Sequence, residues 1–131
     1  MNKINWIVRI VAAVILLQTL YFKFTAHPES VELFTKLGVE PWGRIATGLI
    51  ELVAGVLLLV PATAFLGGLM GINLMVGAIG SHLLVIGIES KGDGGKLFTL
   101  AIIVLFCSIL TCYLNRAQLT SIMAKLALFK R

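Results

Sequence analysis

Apolar residues occur along this chain in long blocks, and four of these blocks are long enough to cross a bilayer. A spanning helix needs about 20 mostly apolar residues. Between Glu51 and Glu89 the chain has no Asp, Glu, Lys or Arg, and Pro61 marks a tight corner within that run. Proline is tolerated at a helix start because its missing N–H is unsatisfied there anyway. The pattern predicts helices over about residues 6–24, 42–60, 62–89 and 97–115.

The connection between the first two helices is long and carries a helical pattern of its own. Pro28 or Glu29 would begin a short amphipathic helix, and Gly38 would end it. Its apolar side chains recur at helical spacing, so we expect them to face the membrane surface. These residues are Leu33, Phe34 and Leu37.

The remaining polar sequence lies in a second connection and in a tail. Residues 90–96 form a glycine-rich polar turn. With four helices, both connections lie on the same side of the membrane. The tail, residues 116–131, is basic and has apolar residues at helical spacing, which indicates a helix on an anionic lipid surface. The alternative is that the fourth helix simply continues into water.

Composition supports a membrane protein and excludes several other classes. Of the 131 residues, 59% are apolar and 13% are charged, and the mean hydropathy is +1.01. Soluble domains are typically about 45–50% apolar and about 25% charged. We therefore expect one all-α integral membrane domain over residues 1–131. It would be a four-helix bundle with a short amphipathic segment after helix 1 and a basic C-terminal tail.

The net charge of +5 indicates lipid rather than nucleic acid as the partner. The basic residues stand at the ends of the apolar segments, and no aromatic or glycine-rich RNA-binding pattern separates them. Six basic residues fall on the side of the termini and five on the side of the connections. The basic tail favours a multi-pass protein of the bacterial inner membrane with both termini in the cytoplasm.

Polar side chains inside membrane segments are costly, so each one needs a reason. Counted from the loop-side helix ends, Gln18 lies about 9 Å deep, Glu51 about 13 Å and His82 about 10 Å. Three different helices thus place a polar group in one layer. Nothing ionisable is expected to continue this layer toward the terminal side, so a transport path through one protomer is incomplete.

Two cations stand at the same end of the predicted bundle. Lys23 closes the first helix, and Arg44 opens the second. The functional hypothesis is a pocket that binds a ligand or handles protons, with Glu51, His82, Lys23, Arg44 and Gln18 as candidates.

The structural alternative gives these polar residues a packing role only. Glu51 would then pair with Lys23 or Arg44, while His82 and Gln18 would form hydrogen bonds across helices. Asn73 in the third helix also fits an interhelical hydrogen bond. Glycines in that helix, beginning with Gly67 and Gly71, suit close packing or a homodimer face.

No complete catalytic constellation is present in the sequence. The two histidines, His27 and His82, do not share a helix stripe, so neither haem nor a metal is expected. Cys107 and Cys112 are five residues apart on one predicted helix, about 7.5 Å in rise, which is too far for a disulfide.

Four short stretches resemble the DoxX family of small bacterial membrane proteins. They are residues 22–24 (FKF), 41–44 (PWGR), 48–55 (GLIELVAG) and 77–82 (GAIGSH). The resemblance covers almost the whole chain apart from the basic tail. It implies a four-helix inner-membrane protein, and some members of the family are linked to redox work.

Three functions remain open from the sequence. The first is a redox-associated subunit whose pocket holds a quinone-like or other small lipophilic ligand, working with a partner redox subunit. The second is a structural or assembly factor without its own ligand. The third is a transporter of a small solute.

Overall fold

A computed structural model describes residues 3–88 and 94–129 of the chain. Within these residues the structure contains helices and turns and no strand. A 3-10 turn over Pro61–Thr63 and a π-helical turn over His82–Ile86 flank α4. The helices are α1 (Lys3–Phe24), α2 (Pro28–Lys36), α3 (Trp42–Leu59), α4 (Ala64–Ser81), α5 (Lys96–Leu114) and α6 (Ala117–Phe129).

Four helical segments are long and apolar enough to cross a membrane, judged by length and composition. This confirms the all-α membrane bundle that the sequence predicts. The segments are Lys3–Phe24, Trp42–Leu59, Pro61–Ile86 and Lys96–Leu114.

The spanning helices form a ring in which α1 packs on α3, α3 on α4, α4 on α5, and α5 on α1. Neighbours run antiparallel. The end of the bundle that carries α2 is termed the loop side, and the end that carries the start of α1 is termed the terminal side. The buried core is apolar and runs through the centre of the ring, with Ala13, Leu16, Ala54, Leu58 and Val104 among its members.

The predicted corner between the second and third spans is present. Val60 leaves the helix in an extended conformation, and Pro61 begins the 3-10 turn. The Thr63 hydroxyl donates to the Leu57 carbonyl at 2.9 Å, which ties the corner to the end of α3.

The glycines of α4 fall into two groups with different surroundings. A Cβ added at Gly67 would lie 2.6 Å from the Leu58 backbone nitrogen, and one at Gly68 would lie 2.9 Å from the Cys112 sulfur. At Gly77 and Gly80 an added Cβ would meet nothing within 4 Å. The first group serves close helix packing, while a homodimer face stays a prediction.

The third span ends earlier than the sequence predicts. The π-helical turn stops at Ile86, and Gly87 takes a φ of +89°, a value that favours glycine and breaks the helix. The predicted end at Glu89 and most of the predicted turn over residues 90–96 lie outside the described residues. His82 is therefore about 6 Å from the helix end at Ile86, shallower than expected.

The short helix α2 begins and ends where the sequence indicates, but its apolar face points elsewhere. His27 caps it, accepting from the Glu29 backbone N–H at 3.3 Å. The expectation that Leu33, Phe34 and Leu37 face the membrane surface is wrong, because they line an internal cavity and Phe34 is only 7% exposed. The apolar space between the spans offers them burial inside the protein.

The tail forms a separate helix rather than a continuation of α5. The spanning helix stops at Leu114, and α6 begins at Ala117. The Gln118 side chain accepts from the Phe65 backbone N–H at 2.9 Å and donates to the Pro61 carbonyl at 2.8 Å. These bonds fix the start of α6 to the corner between α3 and α4. The last two residues of the tail lie outside the described residues.

Candidate functional site

A cavity of about 660 Å³ lies in the loop-side half of the bundle. Its volume falls within the range of roughly 300–1,000 Å³ typical of small-molecule sites. All four spans and α2 contribute to its wall, which is mostly apolar. Apolar lining residues include Ile15, Leu16, Leu33, Phe34, Leu74, Met75, Leu100 and Val104.

Glu51 is a buried carboxylate on the cavity wall. It lies on α3 and is 5% exposed. Lys23 places its Nζ 3.1 Å from Glu51 Oε2, and the Thr19 hydroxyl lies 2.8 Å from the same oxygen. Lys23 and Thr19 are four residues apart on α1, so one helical turn presents both to the carboxylate. Of the two partners open from the sequence, Lys23 rather than Arg44 pairs with Glu51.

Thr19 gives Glu51 a partner in either protonation state. The hydroxyl oxygen lies 2.7 Å from the Leu16 carbonyl and 2.8 Å from Glu51 Oε2, yet it has one proton to donate. With Glu51 ionised, Thr19 donates to the carboxylate. With Glu51 protonated, the carboxyl O–H donates to Thr19, which then donates to the Leu16 carbonyl. The site accommodates both states without moving heavy atoms.

His82 contributes a ring nitrogen from the end of α4, the helix next to α3. It is the first residue of the π-helical turn and is 3% exposed. Its Nδ1 lies 3.0 Å from the Gly87 carbonyl, and because a carbonyl only accepts, Nδ1 carries the proton. In the neutral ring, Nε2 is then an acceptor. The Phe98 ring packs edge-on at 5.6 Å and holds the imidazole in place.

Gln18 and Asn73 border the cavity but do not form the predicted bonds across helices. Gln18 is exposed and has no hydrogen-bond partner within the described part of the chain. Asn73 donates to the Leu69 carbonyl of its own helix at 3.0 Å. The interhelical hydrogen bonds expected for these two amides are therefore wrong: Asn73 bonds within its own helix, and Gln18 is exposed.

Arg44 is the sequence candidate that lies outside the cavity wall. Its Nε contacts Glu40 Oε1 at 2.9 Å and Oε2 at 3.1 Å. Its Nη1 donates to the Lys23 carbonyl. Arg44 thus ties the start of α3 to the end of α1, and the structure brings together only Glu51, His82, Lys23 and Gln18.

Further polar residues line the cavity without being sequence candidates, namely Thr19, Glu29, Ser30, Thr47, Ser81 and Lys96. Thr19 is coupled to Glu51 as described above, and its spacing of four from Lys23 is the signal that would reveal it. Ser81 lines the wall beside His82 and donates to the Gly77 carbonyl at 2.8 Å. Over residues 3–88 and 94–129, no group of three His, Cys, Asp or Glu side chains is arranged to hold a metal ion.

The terminal-side half contains a second set of buried polar groups. Arg9 is fully buried, donates from Nε to the Leu58 carbonyl at 2.7 Å, and lies 4.3 Å from the centre of the Trp6 ring. The expectation that nothing ionisable lies on this side is therefore wrong. Asn5 and Asn115 exchange hydrogen bonds of 3.1 and 3.0 Å and link the ends of α1 and α5.

One comparison with known proteins gives a match. The sequence profile of the DoxX-like family matches residues 7–110, which include all four spans except the ends of the first and last. No curated protein and no solved structure matches the chain.

Proposed function

From the premise that this chain belongs to the DoxX-like family, we propose that it is a redox-associated subunit of the bacterial inner membrane. Its loop-side cavity would hold a quinone-like or other small lipophilic ligand. Both termini would lie in the cytoplasm, and the electrons would come from or go to a partner redox subunit, since the described residues carry no complete catalytic constellation.

The observation that carries this proposal is the cavity itself. It is largely apolar, yet it brings a carboxylate from α3 and an imidazole from α4 and its π-helical turn to one space. Lipophilic ligands suit such a wall, because apolar surface supplies affinity and a few polar groups fix orientation. Lys23 compensates the charge of Glu51, so the pocket suits a neutral ligand rather than a strong anion.

In this proposal Glu51 and His82 handle protons. Glu51 has partners for both of its protonation states, and His82 presents Nε2 as an acceptor while Nδ1 stays bound to Gly87. Lys23 balances the charge of Glu51, and Gln18 contacts the ligand at the rim. Arg44 is a positioning residue, because it binds the Lys23 carbonyl at the end of α1 and so helps to place the Lys23 side chain.

The test is the composition of the purified protein. We would purify the wild type and Glu51→Gln in mild detergent and record native mass and absorbance spectra. The expected result is a bound quinone or other lipophile in the wild type that the variant loses. Glu40→Gln is the matched control, because Glu40 also pairs with a cation but lies outside the cavity lining. An empty wild type contradicts the proposal.

A structural or assembly role is the second candidate, and the buried Lys23–Glu51 pair favours it. A pair that serves packing alone is replaceable by apolar residues of similar volume, often without loss of stability. The double variant Lys23→Met with Glu51→Leu separates the two functions. Full complementation of a deletion strain by this variant would support the structural role, and loss of function in a stable protein would support the ligand site.

Transport of a small solute is the third candidate. A solute path would have to continue through the terminal-side half, where Asn5 and Asn115 bind each other between α1 and α5. Solute flux in proteoliposomes would favour transport, and its absence alongside ligand retention would favour the redox-associated subunit.

A further inference from the structure

The cavity borders the outer surface of the bundle beside α4, where one of the lining residues is a glycine. Asn73 and Gly77 both line the cavity, and both are exposed. A Cβ added at Gly77 would meet nothing within 4 Å, so the space next to this residue is open.

Helix geometry places this opening between α3 and α4. Gly67 faces α3, where it contacts the Leu58 backbone, and Gly68 faces α5, where it contacts Cys112. Gly77 is rotated about 80° from Gly67 in the direction away from Gly68. Asn73 lies farther round in the same direction, about 120° from Gly67, on the outer face of α4. The open flank of α4 is therefore the one toward α3.

Near their shared corner the two helices pack closely. Gly67 lies against Leu57 and Leu58 close to the turn at Pro61. Farther along α4, an added Cβ at Gly77 meets no atom of α3. Large side chains line the cavity from α1, α5 and α4 itself, among them Phe22, Leu100 and Leu74. We term the wall between Gly77 and α3 the α3–α4 seam, and Gly77 contributes no side chain to it.

Asn73 stands at this seam at the depth of the bilayer core. It follows Ala64 by nine residues, a rise of about 14 Å, close to the middle of a hydrocarbon layer about 30 Å thick. An exposed amide at that depth is costly in lipid. One Asn73 N–H donates to the Leu69 carbonyl. The Asn73 Oδ1 and its second N–H can therefore bind a polar group beside the helix.

We infer that the α3–α4 seam is a lateral entrance through which a ligand dissolved in the bilayer reaches the cavity, with Asn73 binding its polar head group on the way. This inference rests on the proposed function and names the ligand class more narrowly. The ligand has a hydrogen-bonding head group and an apolar body that partitions into membrane. It arrives from the lipid, not from the water at the loop side.

The test uses a substitution that plugs the seam without disturbing the fold. Gly77→Leu places a side chain in open space and improves the helix propensity of the position. Gly80→Leu is the matched control, because Gly80 has equally open surroundings but is absent from the cavity lining. Equal thermal unfolding of the three proteins would verify that the fold is retained.

Access is measured first without any natural ligand. The proteins in lipid nanodiscs are mixed with trifluoromethyl iodophenyl diazirine, a bilayer-soluble photolabel, and illuminated within milliseconds. Labelling at Ala101, a buried lining residue of α5, is divided by labelling at the lipid-exposed Phe106 of the same helix. We expect this ratio to fall about tenfold in Gly77→Leu and to stay unchanged in Gly80→Leu. An unchanged ratio in Gly77→Leu overturns the entrance.

Quinone uptake then separates this inference from the proposed function. Decylubiquinone is offered in the same nanodiscs, and bound quinone is followed by native mass spectrometry. Slower uptake in Gly77→Leu with unchanged final occupancy supports the entrance, and Asn73→Leu is expected to slow uptake as well. Uptake at the wild-type rate in Gly77→Leu overturns the entrance and leaves the quinone site standing. Failure of the wild type to bind refutes the quinone site, and the photolabel ratio still decides the entrance.

Discussion

The two halves of this bundle differ in what surrounds their buried polar groups. On the terminal side, Asn5 and Asn115 satisfy each other, and Arg9 donates to a backbone carbonyl. On the loop side, Glu51 and His82 face a cavity. Glu51 and His82 also have partners, but they adjoin open volume in which a ligand could contact them, whereas the amide pair is closed on itself. The polar groups of the terminal-side half therefore serve packing, and those of the loop-side half form the candidate site.

The largest expected difference in stability is between two leucine substitutions in α4, which has a glycine in each half of the bundle. Gly67→Leu forces a side chain against the Leu58 backbone, while Gly77→Leu enters open space. Overpacking costs roughly 1–3 kcal/mol and more against rigid backbone. We expect Gly67→Leu to lower the thermal midpoint strongly or to prevent folding, with Gly77→Leu close to wild type. An equal loss of thermal stability in both variants would show that the two halves of the bundle are packed alike.

The amide pair gives the next largest effect. Asn5→Leu leaves the buried Asn115 with only its bond to the Thr111 carbonyl, so its Oδ1 loses its donor at a cost of roughly 1–3 kcal/mol. The double variant Asn5→Leu with Asn115→Leu should recover part of that loss, because neither amide is then stranded. Denaturant unfolding of the single and double variants measures the coupling. Additive losses would mean that the two amides act independently.

Glu51→Gln should cost less stability than Asn5→Leu. The amide of Gln keeps a partner in Thr19, and the cavity lets water reach the Lys23 ammonium. Although the pair is buried, we expect a smaller loss than that of Asn5→Leu in ligand-free protein, because the cavity adjoins the unpaired ammonium. Thermal unfolding in one detergent compares the two variants directly. A larger loss in Glu51→Gln would place the carboxylate among the packing residues.

His82→Ala should have a small effect on stability and a clear effect on function. The substitution removes one hydrogen bond, from Nδ1 to the Gly87 carbonyl, worth about 1 kcal/mol. We expect normal expression and near-normal unfolding, with failure to complement a deletion strain. Complementation at the wild-type level would remove His82 from the proton-handling residues.

The sequence predicts the spans well because bilayer thickness imposes a minimum apolar length. It also predicts that Glu51 and His82 converge, since depth along a helix can be counted from its end. The sequence does not predict what the apolar face of α2 packs against, because an amphipathic helix buries that face equally well against lipid or protein. The Asn5–Asn115 pair is also missed, since it joins residues 110 positions apart.

The most direct test of the contrast between the two halves is thermal unfolding with and without decylubiquinone, for wild type, Glu51→Gln and Asn5→Leu. A ligand that binds the folded protein raises its stability in proportion to the logarithm of its concentration over Kd. We predict that decylubiquinone stabilises the wild type and Asn5→Leu but does not stabilise Glu51→Gln. An equal gain in all three proteins, or no gain in wild type, would contradict a ligand site at the loop side.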